Sequence, residues 1–313
     1  MKIVFLDTLT VADLTEDLAR FTTYGDYTAY ETTAPDQTVA RLRGATVAIT
    51  NKVLIQAAEM EQLPELKLIC IAATGTNNVD LVAAQQRGIT VKNVSGYSTE
   101  SVAQHTFALL FALMADLAHL NAAVYDGTYT THPAFAYWRR PFFEVSGKRW
   151  GIIGLGTIGR RVAQLAAAFG AKVVYHSTSG NHTTDAEYEH LSLTDLLTTC
   201  DVITIHCPLN DKTRGLLGAV ELQQLKPSAY LINVARGGIV AEADLVAALD
   251  DGQLAGAASD VFTTEPLPAD HPYLKVKDRS RLLLTPHLAW ASVEARRVLL
   301  AGVRQNIEAF LAD

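Results

Sequence analysis

The chain has 313 residues, a hydrophobic fraction of 49% and a formal net charge of −7. That length exceeds one ordinary core and predicts two domains, and the acidic balance, with no basic run, argues against a nucleic-acid partner, because phosphate binding needs a basic face. The three cysteines, Cys70, Cys200 and Cys207, are odd in number and lack metal-like spacing, which points to reduced thiols in a cytosolic protein and to no metal, and no apolar stretch is long enough to predict a membrane span.

The first segment, MKIVFLD, is too short and too soon acidic to read as a signal peptide. Lys2 to Leu6 predicts a strand, Val11 to Phe21 a helix and Asp26 to Tyr30 a second strand. Asp36 to Leu42 reads as a short helix after Pro35. Thr46 to Ile49 is a strand followed by Asn51, a plausible helix cap. Leu66 to Ala72 is a buried strand that runs into the loop Ala73 to Asp80, and Leu81 to Gln86 begins a helix that Gly88 stops. Ile89 to Val91 is a further strand. This alternation of strand and helix predicts a parallel α/β domain over the first hundred residues or so.

A cap-like STES, Ser98 to Ser101, precedes a long apolar helix reaching Leu120. Asn121 to Ser146 is irregular and rich in aromatics, including Tyr125, Tyr129, Phe135, Trp138 and Phe142. Such an arm needs a cover, either its own domain or a second subunit.

Trp150 to Arg160 reads WGIIGLGTIGR. A short apolar strand enters Gly154-x-Gly156-x-x-Gly159, and Ile158, Val162, Leu165, Ala166 and Phe169 follow at helical spacing. Strand, glycine turn and helix form the context of a dinucleotide fingerprint: the glycines make room for a tight turn, a pyrophosphate and close helix packing, and the helix start offers N–H groups to phosphate. Strands are predicted at 151–153, 172–175, 202–205, 230–233, 256–259 and 282–284, enough for a complete doubly wound nucleotide fold. The last helix, Ser292 to Leu311, is amphipathic and free to return to the first domain.

Ligands of such sheets bind beyond the carboxyl ends of the strands. There the chain carries HCPLNDKTRG from His206, VARGG with Arg236, Asp260 and VFTTEPLP with Glu265, and TPHLAW with His287. An Arg can hold a carboxylate in a two-pronged contact. A His can take or return a hydroxyl proton, and a Glu beside it fixes the tautomer of the ring. That set suits hydride chemistry on a small hydroxy acid, although each residue also has a plain structural reading: Arg236 as a surface charge, Glu265 as a loop carboxylate, His287 as a core histidine. Among the other histidines, His105 and His119 fall on the long helix, His176 and His206 end strands where a cofactor could reach them, and His132, His182, His190 and His271 fall in loop-like segments.

On GTNNVD, STESVAQHT, SGKRWGIIGLGTIG, HCPLNDKTRG, LINVARGGIV, SDVFTTEPLP and TPHLAW, the chain resembles the D-isomer-specific 2-hydroxyacid dehydrogenases over essentially its whole length. GYSTESVAQHTFALL, FAYW and TPHLAWAS are most similar to the glycerate dehydrogenase (hydroxypyruvate reductase) branch. The resemblance implies an α/β fold of two doubly wound parallel-sheet domains, with a Rossmann nucleotide domain, residues 99–288, inserted into a flavodoxin-like substrate domain, residues 1–98 plus 289–313. It implies Arg236 as the substrate-binding catalytic Arg, His287 as acid–base and Glu265 as its partner. Thr74, Gly75 and Thr76 would present backbone N–H groups to the substrate carboxylate. Gly154, Gly156, Thr157, Ile158 and Gly159 would hold the pyrophosphate, Cys207, Pro208 and Thr213 the adenosine side, Asp260 would lie near the nicotinamide carboxamide, and Ala235 would be a further cofactor contact. The long helix and the aromatic arm would form a homodimer interface.

One departure concerns the coenzyme. An NAD-type pattern ends its second strand in an acidic residue that holds the ribose 2′-OH. Here KVVYHSTSGNH places Ser177 at that point. The missing carboxylate removes repulsion against a 2′-phosphate and tilts the reading slightly toward NADP, while the turn supplies no Arg to a 2′-phosphate, which leaves NAD or dual use open. A nucleotide-sensing interaction protein on the same fold is the alternative of another class. A formate-type dehydrogenase would pair its His with a neutral amide, which Glu265 is not.

Overall fold

The computed structural model describes residues 1–180 and 184–312; the His182 reading falls outside them. Two compact units emerge, one formed by Met1–Ser98 with Trp290–Asp313 and the other by Thr99–Ala289.

The first unit alternates β1 (Lys2–Phe5), α1 (Thr15–Ala19), β2 (Asp26–Ala29), α2 (Thr38–Leu42), β3 (Val47–Thr50), α3 (Ala57–Glu61), β4 (Leu68–Ile71), α4 (Leu81–Gln86) and β5 (Thr90–Asn93). The strands form one parallel sheet in the order β2-β1-β3-β4-β5. The central strands VAIT and LICI are buried at every position, as a sheet covered on both faces requires. The edge strands DYTA and TVKN carry the polar and exposed residues that discourage further pairing.

Three expectations change here. The helix predicted from Val11 to Phe21 breaks into a 3₁₀ turn, the five-residue α1 and a second 3₁₀ turn ending at Tyr24. Asn51 caps no helix: its amide accepts nothing from a helix start, and its Nδ2 instead donates to the carbonyl of Ala72 (2.6 Å), tying the ends of β3 and β4. α3, which the sequence reading passed over, starts six residues later with Gln56 at its cap position.

The second unit opens with α5 (Thr99–Met114) and α6 (Leu117–Tyr125). The sequence predicts one helix here, but Asp116 takes a left-handed φ of 53° and the two segments meet at 56°. Arg139 holds that Asp in place through two donors, Nε at 2.9 Å and Nη2 at 2.5 Å. β6 (Arg149–Ile153), α7 (Thr157–Ala168), β7 (Lys172–His176), β8 (Glu189–His190), α8 (Leu193–Thr199), β9 (Val202–Ile205), α9 (Ala219–Leu222), β10 (Tyr230–Asn233), α10 (Glu242–Asp250), β11 (Gly256–Ser259) and β12 (Leu282–Leu284) follow. Seven strands, one more than predicted, form a parallel sheet in the order β12-β11-β10-β9-β6-β7-β8. α5 lies across β10 to β12 and α7, and Phe107 packs on the fully buried Trp150 with ring centroids 4.9 Å apart.

α11 (Val293–Ala312) returns to the first unit. Leu299, Leu300, Val303 and Ile307 line one face and are fully buried with Ile3, Phe5 and Cys70. Each such side chain contributes on the order of 1.5–3 kcal/mol by leaving water. At Gly302 a Cβ would sit 2.6 Å from Cγ1 of Val94, just past β5, so the helix packs closely on that side chain. Among the described residues no single helix is long and apolar enough to cross a membrane. All three cysteines are buried and unbridged.

Candidate active site

The register of the seven-stranded sheet lines up its loops. His176 pairs with Ile153, Ile153 with Ile205, Ile205 with Asn233, Asn233 with Ser259 and Ser259 with Leu284. All six strands therefore end at one level, and every candidate residue of this unit hangs just beyond it.

On one side of this crest lies the glycine turn. Gly154 has φ +95°, and a Cβ there would lie 2.7 Å from the amide nitrogen of Cys207 on the neighbouring loop. A Cβ at Gly159 would lie 2.2 Å from the carbonyl oxygen of Gly154, so turn and helix touch backbone to backbone. Gly156, by contrast, faces open space with nothing within 4 Å of its would-be Cβ. It is the N-cap of the twelve-residue α7, with Thr157 and Ile158 in the first turn. A cradle kept free of side chains in front of unpaired helix N–H groups fits a pyrophosphate.

The crevice there measures about 770 Å³ and is lined by Gly154, Gly156, Arg160, Ser177 to Ser179, Cys207, Pro208 and Lys212, among others. Ser177 Oγ lies 3.3 Å from Ser179 Oγ. Arg160 enters from α7, held by Asp185 at 2.5 Å with Glu187 at 3.9 Å. The bond from Arg160 pulls the Asp185 carboxyl below its ordinary range. The turn after β7 carries no cation of its own because Arg160 and Lys212 reach this corner from two other segments. Thr213 departs from expectation. It is fully buried, donates to the carbonyl of Pro208 (2.7 Å) and accepts from the amide of Asn210 (2.8 Å), so it shapes the loop from beneath. Burial pushes the Cys207 thiol up to about 11, which makes it a packing group and not a nucleophile. His176 Nδ1 contacts the carbonyl of Leu191 at 3.1 Å, and both ring nitrogens of His206 are sealed without a hydrogen-bond partner.

On the other side stand Arg236, Glu265 and His287. Arg236 follows β10 in a turn whose shape Asn233 sets: its Oδ1 accepts from Ala235 N (3.0 Å) and its Nδ2 donates to Arg236 O (2.9 Å). Gly237 packs flat on the next loop; a Cβ would lie 1.9 Å from the carbonyl carbon of Phe262. The Arg236 and Glu265 loops are therefore in direct backbone contact. Glu242, at the start of α10, fixes the second loop by accepting from the amide of Thr263 (2.7 Å), and its other oxygen lies 2.9 Å from Nε2 of the buried His271. Tyr273 N donates to His271 Nδ1, which leaves the proton on Nε2 for Glu242. His271 falls in a loop-like segment, as its sequence context predicts, but it is buried there at the start of a 3₁₀ turn. Glu265 Oε2 lies 2.7 Å from His287 Nδ1, with side-chain exposures of 28% and 22%, so the pair is partly covered but reachable.

Asp260, which the resemblance places near the nicotinamide carboxamide, is held within its own loops. It has no exposed surface and accepts from Thr285 Oγ1 (2.6 Å), Leu288 N (2.9 Å) and Ala289 N (2.8 Å). It is built as the anchor of the turn that carries His287, whose φ is +54°. Thr74, Gly75 and Thr76 belong to the other unit, beyond β4. There Thr74 is exposed, and its carbonyl accepts from Asn93 Nδ2 at 2.6 Å. Among the described residues no group of three or more His, Cys, Asp or Glu is placed to hold a metal ion.

Residues 107–289 match the family described as "D-isomer specific 2-hydroxyacid dehydrogenase, NAD binding domain". The chain is 40% identical over 312 residues to a glycerate dehydrogenase of Methylorubrum extorquens, covering 99% of this chain and 96% of the relative. It is 34% identical to a hydroxypyruvate reductase of Blautia hydrogenotrophica, covering 99% and 97%. Its fold is similar to that of an acyclic imino acid reductase solved with NADPH and D-Arg, with a TM-score of 0.84, 29% identity and coverage of 100% and 97%.

Proposed function

The chain belongs to the D-isomer-specific 2-hydroxyacid dehydrogenase family, and from that premise we propose a cytosolic enzyme that reduces a small 2-oxo acid of the hydroxypyruvate or glyoxylate kind to its D-2-hydroxy acid, or runs the reverse. The observation that carries the reading is the 2.7 Å contact of Glu265 with His287 on loops beside that of Arg236. A carboxylate partner for the His supports hydroxy-acid chemistry over the formate-type alternative. Three groups poised for catalysis argue against a pure sensing role.

In this reading Arg236 grips the substrate carboxylate and 2-oxo group, the forked guanidinium fixing the face that is presented. An ionised Glu265 only accepts hydrogen bonds, so His287 Nδ1 carries a proton toward it, and Nε2 is the nitrogen proposed to exchange a proton with the substrate oxygen. Backbone N–H groups of Thr74, Gly75 and Thr76 are proposed as further donors to the carboxylate. The nicotinamide supplies or takes up the hydride when bound. The second unit is proposed as the dinucleotide domain and the first as the substrate domain.

For the coenzyme we favour NADP(H). Ser177 stands where a carboxylate would repel a 2′-phosphate, and Arg160 and Lys212 bring cations to the same crevice. A homodimer is proposed through α6 and the aromatic arm, where Phe135, Tyr125 and Trp138 are 94%, 85% and 62% exposed. Initial rates for a panel of 2-oxo acids against both NADH and NADPH test the whole reading. Turnover of hydroxypyruvate or glyoxylate with NADPH is expected; no turnover of any 2-oxo acid would refute it, and a strong NADH preference would refute the coenzyme choice.

A further inference from the structure

His287 sits in the left-handed region, a conformation unfavourable to a non-glycine residue that persists only where the surroundings over-determine it. Within its own turn His287 N donates to Thr285 O (3.0 Å). Further restraint comes from outside the turn. Asp260 takes the amides of Leu288 and Ala289 and the hydroxyl of Thr285. Two residues of α5, four positions apart and so on one face of the helix, then reach both ends of the same turn. Ser101 Oγ donates to the carbonyl of Ala289 (2.6 Å), and His105 Nε2 lies 3.1 Å from Thr285 Oγ1.

The direction of these bonds follows from the inventory of protons. A hydroxyl has one hydrogen, and an ionised carboxylate only accepts. Thr285 therefore spends its hydrogen on Asp260 at 2.6 Å, and His105 must donate to Thr285 through Nε2–H. Burial holds the His105 ring below its ordinary pKa, against the opposing pull of Asp260 3.7 Å away, so the neutral Nε2–H tautomer suffices.

We propose that His105 is a positioning residue for the reaction: through Thr285 and Asp260, and with Ser101 as the second grip, it locks the turn that aims His287. The inference rests on the acid–base reading of His287. It makes α5 a support of the catalytic turn, acting on His287 through Thr285 and Asp260.

The test compares His105→Leu, His105→Gln, Thr285→Val and the His105→Leu/Thr285→Val double variant with the native enzyme, alongside His287→Ala. Read out are kcat, KM, the dissociation constant for NADPH by fluorescence, and Tm. Misplacing a reacting group by about 1 Å costs on the order of 100-fold in rate, so His105→Leu is expected to lose roughly 10- to 100-fold in kcat. KM and the coenzyme dissociation constant should stay within about threefold, well short of that loss. Gln places an amide N–H near the position of Nε2 and is expected to restore most of kcat. The double variant is expected to lose no more than the worse single one. Unchanged kcat in both His105→Leu and Thr285→Val would overturn the inference, as would a loss that Gln does not restore and that coenzyme binding shares equally. Turnover surviving His287→Ala would instead overturn the acid–base reading on which it rests.

Discussion

Oε2 of Glu265 lies 2.7 Å from Nδ1 of His287, while Oε1 of the same carboxylate accepts from the amide of Phe262 at 3.0 Å. One carboxylate thus orients the ring and closes its own loop. Replacing the charge but keeping a hydrogen-bonding shape should separate the two duties. Glu265→Gln is expected to lower kcat by about 10- to 100-fold, and His287→Ala by about 100- to 10,000-fold, the range of general acid–base contributions. Steady-state kinetics with a parallel coenzyme titration checks this; a Glu265→Gln enzyme of native kcat would separate Glu265 from the chemistry.

Arg236 is half-buried, with Nη1 donating to the carbonyl of Ala235 (2.7 Å). The rest of the fork remains to grip a carboxylate and a 2-oxo group together. A Lys at this point keeps the charge but loses the two-pronged geometry. Arg236→Lys is expected to lose at least about 30-fold in kcat/KM, of the order of one charge-assisted bond. Near-native kcat/KM in that variant would show that charge alone is used.

Gly237 joins the Arg236 and Glu265 loops by an approach that leaves 1.9 Å between a would-be Cβ and the carbonyl carbon of Phe262. Backbone, unlike a flexible side chain, cannot step aside cheaply. Gly237→Ala is expected to cost about 1–3 kcal/mol, the usual range for overpacking, and to depress kcat beyond what the lost stability explains. Chemical denaturation and kinetics on the same preparation check both parts.

What was legible in the chain follows from what is local. Strands such as VITI and YLIN are mostly apolar because both faces are buried, and the glycine turn shows in its own six residues, Gly154 to Gly159, although the approach of Cys207 that keeps Gly154 bare does not. Arg236, Glu265 and His287 stand out in the chain because each follows a readable strand. The break at Asp116 was not legible, since the apolar pattern runs on past it and the Arg139 that stabilises it lies 23 residues away. β8 has two residues, too few for any periodicity. The ion pair of Arg160 with Asp185, the support of Thr263 by Glu242 and the bond of His105 to Thr285 join segments 21 to 180 residues apart. Charged and polar pairs of that kind leave no trace in spacing. They arise only once strand order has brought the loops together.

Arg160 offers a direct handle on the coenzyme. Its guanidinium is held by Asp185 beside Ser177 and Ser179, in the crevice where a 2′-phosphate would be read. Arg160→Gln is expected to raise the dissociation constant for NADPH by about 10-fold, the worth of one charged contact, and to leave that for NADH within about twofold. Asp185→Asn frees the cation and is expected to strengthen NADPH binding. Equal losses for both coenzymes in Arg160→Gln would place the residue in general support of α7.

His206 gives the molecule a pH dependence with a definite sign. Its ring nitrogens are sealed without partners, and burial lowers the ring from its ordinary value of 6.5 to about 3. In the unfolded chain it titrates at about 6.5. Between those two values the unfolded state binds the extra proton, so the contribution to stability is complete above pH 6.5 and is lost as pH falls toward 3. From pH 7 to pH 5 the loss amounts to about 2 kcal/mol. His206→Leu removes both the titration and two unsatisfied polar atoms. The ligand-free variant is therefore expected to be at least as stable as the native protein at pH 7, and its stability should fall less steeply by about 2 kcal/mol between pH 7 and pH 5. Denaturant midpoints across pH 5–8 measure the difference, in which the contributions of all other groups cancel. Parallel curves for the two proteins would mean that the ring takes up its proton without leaving the folded state.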